Sequence, residues 1–197
     1  MIDSGYKTTI DAVWLADAVA AGGNETVLDV GIGAGGVALS LLERFPNLSV
    51  TGLDVSEDML SHAWTNALLN GREIEMIKDS IFDWKTNAAF DIVVTNPPYF
   101  SGTPREDDAH HNVDIYEWTR ASAKRVTPRG MFYAIAAPDV MDKIIAALVD
   151  GNFGGVSILP IATKPDNIER VIISARLNVK TPAKMFFPID AACKKDV

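Results

Sequence analysis

The chain has 197 residues, 48% of them hydrophobic and 22% charged, enough for one α/β domain with a substantial core and too few for a second full one. Its formal net charge of −8 argues against broad nonspecific binding to a polyanion, while leaving room for a local basic patch. The single cysteine, Cys193, excludes an internal disulfide and fits a reducing cytosol; no secretory signal opens the chain, and no apolar run approaches the roughly 18 residues of a membrane span. A cytoplasmic protein of one domain, residues 1–197, is expected, with a helical region at 1–22 and a C-terminal strand pair at 154–190.

"TIDAVWLADAVAA" (9–21) spaces Ile10, Val13, Trp14 and Ala18 as a helix does, and Gly22-Gly23 ends it. "TVLDVG" (26–31) is a short strand running into glycines, and "GVALSLLERF" (36–45) is a helix stopped before Pro46. "SVTGLDV" (49–55) is again a strand, after which Ser56 caps a helix beginning at Glu57-Asp58. "EIEMIKDS" (73–80) and "FDIVVTN" (90–96) are the next two strands. Asp114-x-x-Glu117 reads as a capping box for the helix "IYEWTRASAKRV". "GMFYAIAA" (130–137) is a fifth strand, and Pro138 suits the first turn of the helix "DVMDKIIAALVDG". "VSILPIA" and "RVIISARL" then follow one another with no helical pattern between them. The five alternations predict a parallel sheet covered on both faces, and the final pair predicts one antiparallel strand at or near the edge.

"LDVGIGAGG" sets Gly31, Gly33, Gly35 and Gly36 between the first strand and its helix, where glycine lets the backbone approach a ligand and the helix N-terminus adds a favourable dipole. Asp54 ends the second strand, placed to accept hydrogen bonds from a ribose. Dinucleotides and S-adenosylmethionine both use such an arrangement. Asp29, just before the glycines, favours S-adenosylmethionine, because a carboxylate there suits an ammonium and repels a pyrophosphate. Asp79, at the end of the third strand, is expected to reach the adenine amino group with Ile81 or Phe82 packed on the ring; Asp83 is the alternative.

"TNPPYF" (95–100) ends the fourth strand on two prolines, which cannot donate to a ladder. Strand four should lie beside strand one, so Asn96 opens onto the crevice of the glycine loop. The Asn96 side-chain oxygen and the Pro97 carbonyl can then converge on one planar amino group, turning its lone pair toward a sulfonium methyl. Pro97 and Pro98 hold the corner rigid. Tyr99 can stack on the base face and Phe100 can widen the platform, stacking being worth about 1–3 kcal/mol per base. No metal is needed.

In these motifs the chain resembles the class I S-adenosylmethionine-dependent amino-group methyltransferases: "LDVGIGAGG", "GLDVS", "IKDSIFDW" and "TNPPYF" follow one another in the order of that class. "GYKTTIDAVWLADAV" and "RVIISARLNVKTPAKMFFPI" resemble the bacterial tRNA valine-1 adenine N6-methyltransferase family. The resemblance implies a Rossmann-like α/β fold with a seven-stranded, mostly parallel sheet, an antiparallel C-terminal strand and helices on both faces. It implies that Asp29, Gly31, Gly33 and Gly35 surround the methionine part of S-adenosylmethionine. By the same resemblance Asp54 with Val55 is expected to hold the ribose, and Asp79, Ser80 and Ile81 the adenine, with Thr9 and Asp11 lining the pocket from the preceding helix. The resemblance further implies that Asn96, Pro97 and Tyr99 carry a transfer to N6 of an adenine in RNA, with tRNA as the expected partner. Families with the same corner methylate a glutamine side chain on release factors, and related corners methylate ribosomal RNA guanine. A binding module without turnover is the non-enzymatic alternative.

The loop "SGTPREDDAHHN" (101–112) offers Arg105, His110 and His111 to phosphate or base, against its own acidic run. Lys164, Arg170, Arg176, Lys180 and Lys184 are a candidate phosphate-binding edge. Trp14, Trp64, Trp84 and Trp118 read as core or helix-packing residues and are assigned to no site.

Overall fold

The computed structural model describes residues 9–98, 113–164 and 167–190. In chain order the elements are α1 (Ile10–Ala18), β1 (Thr26–Val30), α2 (Gly36–Arg44), β2 (Ser49–Asp54), α3 (Glu57–Leu69), β3 (Glu75–Lys78) and β4 (Phe90–Thr95). They continue with α4 (Ile115–Ala123), β5 (Val126–Ala136), α5 (Met141–Asp150), β6 (Phe153–Lys164), β7 (Asn167–Leu177), β8 (Lys184–Met185) and β9 (Ile189–Asp190).

The near-continuous apolar runs of β1, β4 and β5 are explained by burial on both faces. Successive side chains alternate between two cores. Val27, Ile92, Val94, Tyr133 and Ile135 pack under α1, α2 and α3, against Leu15, Leu41 and Leu60. Leu28, Val30, Val93, Phe132 and Ala134 pack on the opposite face, against Ala123 of α4 and Ile144 and Leu148 of α5. The helices follow the same logic: α2 buries Val37, Ala38, Leu41 and Leu42, one stripe of a 3.6-residue period. Ser56 caps α3 as expected, its Oγ accepting from the Met59 N–H at 3.3 Å.

The sheet runs β3-β2-β1-β4-β5-β7-β6-β8, with β9 also paired to β6. β1 through β5 are parallel, and β7 is antiparallel to both β5 and β6. The chain therefore winds one way from β1 to β3 and the other way from β4 onward, leaving a switch point between β1 and β4 at the carboxyl edge.

Several boundaries differ from the sequence reading. Among the described residues the sheet has nine strands, not seven, because Ser157–Ile158 and Ile161–Ala162 of β6 pair with the two-residue strands β8 and β9. Two residues carry no period, so no pattern announces them. Pro160, with no N–H to give, lies between those two short pairings. The antiparallel β7 lies between β5 and β6. α4 ends at Ala123 and β5 starts at Val126, ahead of the expected Gly130, with a register break against β4 around Pro128 and Arg129. α1 stops at Ala18, and Pro138–Val140 form a 3-10 turn before α5.

Candidate active site

At the switch point the ends of four strands border one cleft of about 680 Å³. Its size falls within the range of about 300–1,000 Å³ common for ligand sites, and it stands where the strand order reverses. Its wall comprises Val30, Gly31 and Gly33 from the β1 turn, Leu53 to Ser56 from β2, Met59 from α3, Asp79 to Phe82 after β3, and Asn96 and Pro98 after β4. The start of α4 closes it with Val113, Asp114, Glu117 and Trp118.

The glycine turn is built by the backbone of β2. The N–H groups of Gly31 and Ile32 donate to the Leu53 carbonyl at 2.8 and 3.1 Å. Gly31 and Gly33 have φ of 72° and 53°, a region that penalises any Cβ. At Gly31 a Cβ would also lie 3.3 Å from the Trp118 ring. Asp54 holds the turn from the side: its Oδ2 accepts from the Gly33 N–H at 3.0 Å and its Oδ1 from the Ser56 N–H at 2.9 Å. Each oxygen retains a lone pair for a hydroxyl donor. The Asp79 N–H donates to the Asp54 carbonyl at 3.1 Å, and Asp79 Oδ1 accepts from the Ser80 N–H at 2.7 Å. Of the two acids weighed in that turn, Asp79 lines the cleft and Asp83 is not part of its wall.

Asp29 lies beneath the turn, 1% exposed, and is not part of the cleft wall. Burial pushes its carboxyl up to about 7; the Ala38 N–H of α2 opposes the rise, and the Asp54 charge adds to it. Its Oδ2 is buried without a hydrogen-bond partner. The Asn96 Oδ1 is in the same condition, on a residue that does line the cleft. An unpaired buried acceptor is costly, and Asn96 Oδ1 belongs to a residue at the cleft, where a ligand carrying N–H donors would satisfy it. Pro97 is buried beside Asn96 and Pro98 is exposed.

Other expected site residues fall elsewhere. Gly35 caps the start of α2 and packs on Ala63, outside the cleft. Thr9 is the exposed cap of α1. Asp11 is a correction to the pocket expected for it: its Oδ2 accepts from Arg170 Nε at 2.8 Å, away from the cleft wall. The basic edge also divides. Lys164 and Arg170 lie toward the carboxyl end of the sheet, but Arg176 and Lys180 follow β7 to the opposite end, and Lys184 pairs beside Ser157 in the lower part of β6. The five cations do not form one surface with the cleft. Tyr99, Phe100, Arg105, His110 and His111 lie outside the described residues.

The sequence reading missed Trp118, which lines the cleft, together with Met59 and Val113. One signal was available for Trp118: a helix following a parallel strand begins at the carboxyl edge, so an inward aromatic in its first turn must stand beside the strand ends. Trp64, assigned to packing, is 56% exposed. Trp14 and Trp84 do pack against the two cores. Among the described residues no group of His, Cys, Asp and Glu could hold a metal, and no helix is long and apolar enough to cross a membrane.

The sheet order, the switch-point cleft, the glycine turn and the acid ending β2 define the class I S-adenosylmethionine-dependent methyltransferase fold. A crystal structure of a predicted O-methyltransferase from Agrobacterium tumefaciens shares it, with TM-score 0.77 and 23% identity over 92% of this chain and 87% of that one. Residues 7–159 match the model of the methyltransferase small domain, and the chain belongs to that family. It is similar to the release factor glutamine methyltransferase of Flavobacterium psychrophilum, 41% identical over 48% of this chain and 33% of the relative. It is also similar to the tRNA1(Val) (adenine(37)-N6)-methyltransferase of Bacteroides thetaiotaomicron, 28% identical over 87% of this chain and 77% of the relative. The chain spans only 33% to 63% of the length of several curated relatives that it matches. The cofactor of this class is S-adenosylmethionine, and the residues present suit it: a glycine turn that admits a ligand to the backbone and an acid with spare lone pairs.

Proposed function

We propose that this chain transfers a methyl group from S-adenosylmethionine to the exocyclic N6 amino group of an adenine in RNA, with tRNA as the substrate class. The observation that carries the reading is the Asn96 Oδ1, buried and without a partner, in the same cleft as the glycine turn and Asp54. When bound, the cofactor supplies an electrophilic methyl group on a sulfonium.

The chain's own residues do the rest. Gly31 and Gly33 admit the methionine part to the backbone, and Asp29 beneath them supplies a carboxylate for its ammonium. Asp54 takes the ribose hydroxyls on its remaining lone pairs, and Asp79 with Ile81 and Phe82 holds the adenine of the cofactor. Asn96 Oδ1, with the Pro97 carbonyl, accepts the hydrogens of the target amino group and turns its lone pair toward the methyl. Pro97 and Pro98 limit the motion of that corner, which matters because reacting atoms must approach within about 3–3.5 Å. The target base must be unpaired or flipped to reach it. Tyr99 and Phe100, next in sequence, are the proposed stacking surface.

A second reading, methylation of a protein glutamine amide, is favoured by one feature. Asp114 and Glu117 place two exposed carboxylates at the cleft, which repel phosphates and tolerate a neutral amide. The test is incubation with methyl-labelled cofactor and either total tRNA or a release factor, followed by mass spectrometry of nucleosides and peptides. N6-methyladenosine is the expected product. Label confined to protein would replace the RNA reading with the second, and label on neither would refute both.

A further inference from the structure

The cleft contains a side chain that joins its two halves. Trp118, the fourth residue of α4, donates its Nε1–H to Thr95 Oγ1 at 3.0 Å, and Thr95 Oγ1 donates in turn to the Val30 carbonyl at 2.9 Å. The direction of this chain is fixed, because an indole can only donate and the Thr95 proton is then committed to Val30. Thr95 is fully buried, so water offers no replacement. Val30 immediately precedes Gly31, and Thr95 immediately precedes Asn96. The benzo edge of the same indole abuts Gly31, where a Cβ would come within 3.3 Å, and its ring meets Phe82 edge-on at 6.1 Å between centroids.

We propose that Trp118 is a positioning residue for methyl transfer: its N–H, through Thr95, holds the Asn96 corner in register with the glycine turn, and its ring walls the cofactor part of the cleft. This rests on the reading of Asn96 as the group that orients the acceptor. The N–H role and the ring role separate by substitution. Trp118→Phe keeps a ring and removes the donor, whereas Trp118→Leu removes both. A displacement near 1 Å at reacting groups can cost about 100-fold, so a loosened corner affects turnover more than cofactor binding.

The kinetic test compares Trp118→Phe with Thr95→Val and the double variant. Expected for Trp118→Phe is a KM for the cofactor within about twofold of wild type and a kcat lower by about tenfold. In the Thr95→Val background the same substitution should lower kcat no further, because the bond it removes is already gone. Thr95→Ser, which keeps the hydroxyl, should retain turnover. Wild-type kcat in Trp118→Phe, or losses that multiply in the double variant, would overturn the proposal.

A binding readout needs no acceptor. Cofactor addition should change the tryptophan emission of the wild-type protein, and most of that change should vanish in Trp118→Phe although Trp14, Trp64 and Trp84 remain. An undiminished change would refute the wall role. If the emission result holds while no RNA is methylated, the acceptor reading fails and the placement of Trp118 against the cofactor stands.

Discussion

Asp29 is a buried carboxyl group with an unpaired oxygen, and replacing it with asparagine tests the electrostatics beneath the glycine turn. Its pKa near 7 stands above that of an ordinary aspartate, 3.8, chiefly through burial. In the folded protein it holds its proton between those values, whereas in the unfolded chain it has lost it. Stability from this group is therefore fully present below about pH 4 and is lost as pH rises through 7. The gap of about three pH units, at about 1.4 kcal/mol each, amounts to ~4 kcal/mol as an upper limit. Asp29→Asn cannot ionise, so its stability relative to wild type should rise by up to that amount between pH 4 and pH 8. For a chain of this size that corresponds to roughly 8–16 °C in relative Tm. The assay is urea or thermal unfolding of both proteins at four or five pH values without cofactor. The fixed cost of the amide cancels in the comparison, since only its pH dependence matters. A stability difference that does not change across that range would refute the assigned burial and ionisation. Saturating cofactor should shrink the effect, because a bound ammonium favours the ionised carboxylate.

Further outcomes follow from the same geometry. Asp54→Ala removes the acceptor of the Gly33 and Ser56 N–H groups, so cofactor affinity measured by calorimetry should fall at least about tenfold, hydrogen bonds to charged groups being worth roughly 1.5–3 kcal/mol. An unaltered dissociation constant would count against its role. Gly31→Ala forces a Cβ into a φ of 72° and against Trp118, costing roughly 1–2 kcal/mol or more, read as a lower Tm together with weaker cofactor binding. Native stability and native affinity in that variant would contradict the turn geometry.

The parts of the site written in short local patterns were legible in the sequence. Glycines after an apolar strand, an acid ending the next one, a serine before two acids, and Asn-Pro-Pro after a buried run each carry their own backbone chemistry, and the fold brings most of them to one edge. What was not legible depends on partners far apart in sequence. Asp11 and Arg170 are separated by 159 positions, and only the packing of α1 beside β7 shows that they neutralise each other. The same holds for Trp118, whose N–H reaches back 23 positions to Thr95, and for Arg176 and Lys180, which β7 carries away from the cleft because it runs antiparallel. Strands β8 and β9 are defined by the edge of β6, not by their own residues.

The central claim is that the Asn96 amide acts on the acceptor and not on the cofactor. It is tested most directly by single-turnover methyl transfer to tRNA in wild type and Asn96→Ala, with cofactor affinity measured on the same preparations. The account predicts cofactor binding within about twofold and a transfer rate lower by about 100-fold or more, the scale set by removing one oriented group from a reacting centre. Equal rates in the two proteins, or a loss explained wholly by weaker cofactor binding, would contradict it.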